Sequence, residues 1–160
     1  MMQIMSQRRI LIFIFSALVL AGFITFTLRG RDFKAPMNDQ TSTQKPFVVI
    51  NGIPVEVLIA DTPDERRRGL SGRGELLANQ GMLFVFDKSD AYNIWMKDMQ
   101  FSIDVIWISS GGVVVDIRKD ISPETYPEVF GPRTSAQYVL EVPAGFAEKY
   151  DISVGDRTVL

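Results

Sequence analysis

The charged side chains with most chemical promise lie inside apolar runs. Residues 92–108 read YNIWMKDMQFSIDVIWI; Lys97 closes the run that holds Trp95, and Asp104 opens the next, Val105-Ile106-Trp107-Ile108. Glu141 stands in a third such run, Tyr138-Val139-Leu140-Glu141-Val142. Desolvating a cation or a carboxylate beside indole rings is costly unless the charge is paired or reaches water. On strands, Trp95 shares a face with Lys97, Asp104 with Ile106, and Glu141 with Val139. If those faces converge, one lysine and two carboxylates gather in a cleft walled by Trp95, Trp107 and Tyr138. Burial there would perturb pKa values enough for acid–base work or for orienting a polar ligand. Arg66, first of the run Arg66-Arg67-Arg68, adds an anion contact. The candidate ligand-binding set is therefore Lys97, Asp104, Glu141, Trp95, Tyr138 and Arg66. Each has a plainer use: the charges as a paired network that fixes strand register, the indoles as core, the arginines as solvated helix-end cations. A carboxylate-based hydrolase is the catalytic alternative, with Asp104 and Glu141 as its pair, since glycosidases set such groups about 5–9 Å apart.

Other chemistries are closed off. With no histidine and no cysteine among 160 residues, there is no His-based triad, thiol nucleophile, His/Cys zinc site or disulfide. Gly69-x-x-Gly72-x-Gly74 lacks the preceding strand and the following Lys-Ser/Thr of a phosphate loop. Asp151 and Asp156 fit no EF-hand spacing and read as turn residues. No metal and no cofactor is expected.

Charge divides along the chain. Residues 1–46 carry six Lys/Arg against two Asp/Glu, net +4, and residues 47–160 carry eleven against seventeen, net −6. A domain at −6 is a poor partner for nucleic acid, whose binding is driven by phosphate neutralisation. The basic charge at the front suits lipid head groups instead.

That front has its own logic. A basic leader, residues 1–9 with Arg8-Arg9, precedes the 19-residue uncharged stretch Ile10 to Leu28. At about 1.5 Å per helical residue the stretch roughly crosses a ~30 Å hydrocarbon layer. It reads as a transmembrane anchor or as an export signal; its length and the absence of a small-x-small pair after it favour the anchor. Leu20-Ala21-Gly22 resembles a lipoprotein box but lacks the cysteine. Basic residues on both sides leave the positive-inside count nearly balanced. The expectation is a single-pass membrane protein with membrane lipid as one partner and an extracytoplasmic globular domain. Residues 29–46, with the polar run Asn38 to Gln44, read as a flexible tether. Residues 47–160 are long enough for one self-sufficient domain.

Strand signals dominate that domain. Phe47–Ile50 leads through Asn51-Gly52 into Val55–Ala60, a hairpin. Met82–Phe86 is solidly apolar, so both its faces are covered. Ile94–Lys97, Asp104–Ile108, Val113–Lys119, Gln137–Val142 and Arg157–Leu160 complete the set. Within Val113–Lys119, alternation puts Val113, Val115 and Ile117 inward and leaves Val114, Asp116 and Arg118 mostly wet. Thr62-Pro63-Asp64-Glu65 carries a capping box with Pro at N1, and Gly69 and Gly72 stop that helix. Ala144–Tyr150 is the second helix. The fold class is mainly β: a β-sandwich or barrel of about eight short strands with two short helices, preceded by one transmembrane helix. The loop Ile121 to Pro132 is long enough to act as a lid or a partner surface.

Six short motifs stand in order: Arg66-Arg67-Arg68-Gly69-Leu70, Gly81-Met82-Leu83-Phe84, Trp95-Met96-Lys97-Asp98, Ile103-Asp104, Tyr138-Val139-Leu140-Glu141 and Val154-Gly155-Asp156. Together, over roughly Val55 to Leu160, they resemble the bacterial and archaeal family called domain of unknown function 192. The resemblance implies a compact, mostly β fold, often behind a signal or anchor, and no established activity. Departures are Ser71 for an apolar residue, Asp98-Met99 where Asn-Thr is common, and Ser102 for a proline. The cysteine some relatives carry in the segment 121–132 is absent, so a thiol-based role does not apply. The function expected is a membrane-tethered binding or accessory module of the cell envelope, for a small ligand or a protein partner. A purely structural partner of an envelope complex, contacting through the loop 121–132, is a further alternative.

Overall fold

A computed structural model describes residues 45–160. The basic leader, the apolar segment 10–28 and the tether as far as residue 44 lie outside the described residues. Among the described residues, no helix is long and apolar enough to cross a membrane.

The chain forms β1 (Phe47–Ile50), β2 (Ile53–Ala60), α1 (Pro63–Arg68), β3 (Gln80–Asp90), β4 (Ile94–Trp95), β5 (Ile103–Ile108), β6 (Val114–Ile121), β7 (Val129–Phe130), β8 (Ala136–Pro143), α2 (Phe146–Lys149) and β9 (Thr158–Val159). Seven strands make one sheet in the order β6-β5-β8-β3-β2-β1-β9, and β4 pairs with β7 in a separate ribbon. The β2–β3 contact is parallel, with α1 in the crossover between them. The sheet curls into a half-barrel whose edges meet. Val113 bridges to Arg157, and Thr158 N donates to Gly112 O at 2.7 Å. Such curling is the expected consequence of strand twist in a sheet of this width. The half-barrel settles the choice between sandwich and barrel.

Local sequence chemistry explains the elements that frame the outer face. Thr62 caps α1 and Glu65 reaches back to the Thr62 amide at 3.1 Å, completing the capping box. The Thr62 hydroxyl and amide hold the Glu65 carboxyl below its usual range. Gly69 ends the helix at φ +50°, where its missing side chain also clears the Phe84 ring. The second helix is shorter than expected because β8 runs on to Pro143 and Gly145 turns the chain at φ +84°. Short strand β7 falls within the stretch expected to be an open loop, and it supports β4.

Alternation sorts the apolar residues onto two faces. Val48, Ile50, Val55, Val57, Leu83, Ile106, Ile108, Leu140 and Val142 fill the inside of the curl, closed by Phe146 and Ala147 of α2. Met82, Phe84, Val105, Trp107 and Val139 face outward and are covered by Leu70, Ile94 and Met96. Trp107 is wholly buried, and its indole N–H donates to Tyr92 O at 2.8 Å.

Strand β6 departs from its expected alternation. The register shifts between Trp107↔Asp116 and Ile108↔Val114, leaving Val115 as the extra residue of a bulge. The bulge sends Val114 inward, so the face expected to be wet contributes a buried valine and a buried aspartate. Burial alone would raise the Asp116 carboxyl. The side-chain and backbone hydrogen bonds from Arg133 and the Ile117 amide outweigh it and hold the group below its usual range.

Asp104 is also buried, and on the inner face it acts as a splice. Its Oδ1 accepts from the amides of Asp120 at 2.8 Å and Gly145 at 3.3 Å, and its Oδ2 from Ala147 at 2.8 Å. One carboxylate thus joins β5, the end of β6 and the first turn of α2. Removing it would orphan three amides in a largely dry setting. Asp104→Ala is predicted to destabilise the domain by about 3–5 kcal/mol, read as a lower urea midpoint with an unchanged denaturant slope.

Candidate functional site

Glu141 lies at the centre of the sheet. On β8 it stands opposite Val105 of β5 on one side and Met82 of β3 on the other. All three project to the outer face. Gly81 permits this close packing, since a Cβ there would lie 2.7 Å from Glu141 O. The Glu141 side chain is only 4% exposed, yet no hydrogen bond or ion pair reaches its carboxyl among the described residues. Burial therefore acts unopposed and pushes its pKa up to about 8. No buried side-chain oxygen in the described domain lacks both partner and solvent, so the unpaired Glu141 oxygens must touch water.

They do so through a recess of about 60 Å³, lined by Arg66, Arg67, Arg68, Gly69, Leu70, Ser71, Phe84, Asn93, Ile94, Trp95, Met99 and Glu141. One wall is the C-terminal end of α1 and the turn after it; the other is β4. The walls are stapled together. Ser71 Oγ donates to Lys97 O at 2.8 Å, and Gly72 N to Asp98 O at 2.9 Å. Arg66 clamps the helix end to the sheet by donating to Val85 O at 2.8 Å and to Asp61 O, with its guanidinium 5.2 Å from the centre of the Phe86 ring. Arg67 is paired with Asp64 at 2.9 Å. Of the three arginines, Arg68 alone has no ion-pair or hydrogen-bond partner for its guanidinium among the described residues.

The structure brings together part of the expected set of residues. Glu141, Trp95 and Arg66 do meet around one solvent-connected recess. Asp104 does not join them. It stands opposite Val142, one position along from the Val105–Glu141 pair, and that single step turns it to the other face of the sheet. Tyr138 lies two residues from Leu140 and packs with the inner cluster for the same reason. Trp107 is core, not wall. The Lys97 side chain is exposed with Nζ 6.0 Å from the Trp95 ring centre, so the backbone carbonyl of Lys97, not its ammonium, serves the site. Ser71, Asn93, Met99 and Phe84 also line the recess; Phe84 lies in the Gly81-Met82-Leu83-Phe84 stretch, and Ser71 and Met99 each directly follow another of the six motifs. What was missing was the crossing of β4 over the sheet, which no local pattern encodes.

A larger groove of about 470 Å³ lies beside β2 and β3. Glu56 in its lining is already met by Lys45 at 2.7 Å and by Gln80 at 3.2 Å. No cluster of three or more metal-ligating side chains occurs among the described residues. Asp156 accepts from Ser153 N at 2.9 Å, as a turn residue does.

A curled β half-barrel with one unpartnered carboxyl under a helix–ribbon cover defines a small domain type. Residues 47–160 match the family model DUF192, described as an uncharacterized ACR, and the chain belongs to that family. A UPF0127 protein of Thermococcus gammatolerans is 34% identical over 102 residues, covering 62% of this chain and 63% of that protein, so less than two thirds of the relative's length is matched. A crystal structure of a protein of unknown function from Novosphingobium aromaticivorans superposes with TM-score 0.68 at 24% identity, over 71% of this chain and 84% of that one. A Sinorhizobium meliloti protein, crystallised as a candidate transcription regulator, gives TM-score 0.66 at 28% identity, over 71% and 89%.

Glu141 should leave a signature in stability. Its folded pKa is raised from 4.5 to about 8. Below the lower value both folded and unfolded states hold the proton and there is no penalty. Between the two, the unfolded chain ionises while the folded one does not, so stability falls as pH rises; above the upper value the loss is complete. The full loss is on the order of 5 kcal/mol and is an upper figure. Glu141→Gln is predicted to flatten the dependence of the urea midpoint between about pH 5 and pH 8 and to be more stable than wild type at the alkaline end.

Proposed function

We propose that this chain is a binding module whose site is the recess over Glu141. The reading rests on one observation: a buried, unpartnered carboxyl that reaches solvent only through a small walled opening. Holding such a group costs stability, and sites of binding are where proteins carry that cost. In its neutral form the carboxyl both donates and accepts a hydrogen bond, so it suits an uncharged polar group or an anionic oxygen. A cationic ligand would instead have to drive off the proton. The charged side chains around the recess are the arginines of α1, and none of them bonds to the carboxyl.

A hydrolase built on Asp104 and Glu141 finds no support here. Those groups face opposite sides of the sheet, and no second carboxyl lines the recess. Control of transcription stays with the description of the Sinorhizobium protein; the −6 balance of residues 47–160 is unfavourable for binding DNA. Tethering through residues 10–28, in contact with membrane lipid, with the domain outside the cytoplasm, belongs to the same proposal and rests on the apolar stretch alone. Protease added to intact cells would remove the domain if that orientation holds, and would leave it intact if the domain is cytoplasmic. An envelope protein partner docking on the loop 121–132 is the second reading, favoured by the exposure of Tyr126 and Val129.

A fragment screen by ligand-observed NMR tests the recess. At least one neutral or anionic polar fragment is expected to bind wild type below about pH 8 and to weaken above it. Glu141→Gln should keep that binding without the pH dependence, and Glu141→Ala should lose it. Hits indifferent to both substitutions would remove the site.

A further inference from the structure

We infer that the ligand of this recess is a neutral saccharide, its ring resting on Trp95 and a hydroxyl group entering the opening above Glu141. The inference rests on the recess being the binding site and adds the class of ligand. Size sets the first constraint. A volume of about 60 Å³ holds roughly two waters. A hydroxyl or hydroxymethyl group fits and a ring does not, so the body of the ligand must lie against the rim.

The rim there is aromatic and exposed. Trp95 is 50% exposed, standing between the buried Ile94 and Met96. Its register opposite Val129 fixes it on the ribbon, and Tyr126 meets it edge-on at 6.1 Å. Beyond the Tyr126 edge and the Lys97 ammonium, half of this tryptophan is left to solvent beside a walled opening. Its electron-rich face attracts the weakly positive C–H groups on one side of a sugar ring. The polar lining matches hydroxyls too: the Ser71 oxygen, the Asn93 amide and the Glu141 carboxyl can each take part in hydrogen bonds with them. Of the three lining arginines, Arg66 and Arg67 are already engaged, and Arg68, whose guanidinium has no partner among the described residues, can itself donate to a sugar hydroxyl. Lys97, exposed beside Trp95, can swing from the ring to a hydroxyl.

The test is saturation-transfer NMR on the full-length chain, free of sugar-headed detergent. Probes are gluco-, galacto- and N-acetylglucosamine-configured trisaccharides, with adenosine as a flat aromatic alternative. At least one sugar is expected to bind, with transfer strongest at ring C–H protons. Trp95→Ala should weaken it about ten-fold, Trp95→Phe should recover most of the affinity, and Glu141→Ala should abolish it. Because Trp95 is exposed, its variants should keep the wild-type melting temperature. Sugar binding unchanged in Trp95→Ala overturns the stacking, and Glu141-dependent binding of adenosine with no sugar bound overturns the ligand class while leaving the recess intact. The absence of any Glu141-dependent probe overturns the saccharide and the underlying reading together.

Discussion

Three acidic side chains are buried in this domain, and the difference in how their charge is met organises the molecule. Asp104 receives three backbone amides and welds β5 to the end of β6 and the start of α2. Asp116 receives Arg133 and pins the segment before β8. Glu141, on β8 between β3 and β5, receives nothing among the described residues. The first two repay their desolvation with hydrogen bonds. The third is desolvated without compensation, and its charge is suppressed by keeping the proton. A glutamine or an apolar residue in its place would relieve the penalty. That such a group persists at the floor of an opening, and not sealed beneath it, is what distinguishes a site from a packing fault.

The cover over Glu141 is built to hold its shape. Arg66 fastens the helix end to β3, Ser71 and Gly72 fasten the following turn to the end of β4, and β7 fastens β4 from the far side. These are backbone-directed bonds, which tolerate little displacement. Arg66 from the Arg-Arg-Arg-Gly-Leu stretch and the Lys97 and Asp98 carbonyls from the Trp-Met-Lys-Asp stretch take part in these bonds, and Ser71 and Gly72 just after the first stretch supply the donors. The exposed Trp95 is the exception, since it contributes surface and no fastening.

Much of the architecture was legible in the chain. The Asn51-Gly52 turn, the capping box at Thr62–Glu65 and the solid apolar run at Met82–Phe86 all carry their physics locally, and each formed as expected. What the chain hides is register. Asp104 and Glu141 lie in similar apolar runs, and period-two reasoning assigns each a face relative to its own neighbours only. Which faces coincide is decided by the alignment of β5 with β8, and an offset of one residue separates a cap on the inner side from an acid on the outer side. The bulge at Val115 has the same origin: it inverts the alternation of β6 without any break in its composition. Trp95, Arg66 and Glu141 were found because unusual residue types mark them, while Ser71 and Asn93 are ordinary and become visible only once the ribbon is seen to cross the sheet.

The account stands on Glu141 remaining protonated at neutral pH inside the folded domain. Direct titration of its side-chain carbon by NMR, in protein labelled with ¹³C at glutamate carboxyls, is the most immediate measurement. A resonance that titrates near 8 is the expected result. A Glu141 resonance that titrates near its ordinary value of 4.5 would mean that the carboxyl is solvated or paired, and no special recess would remain.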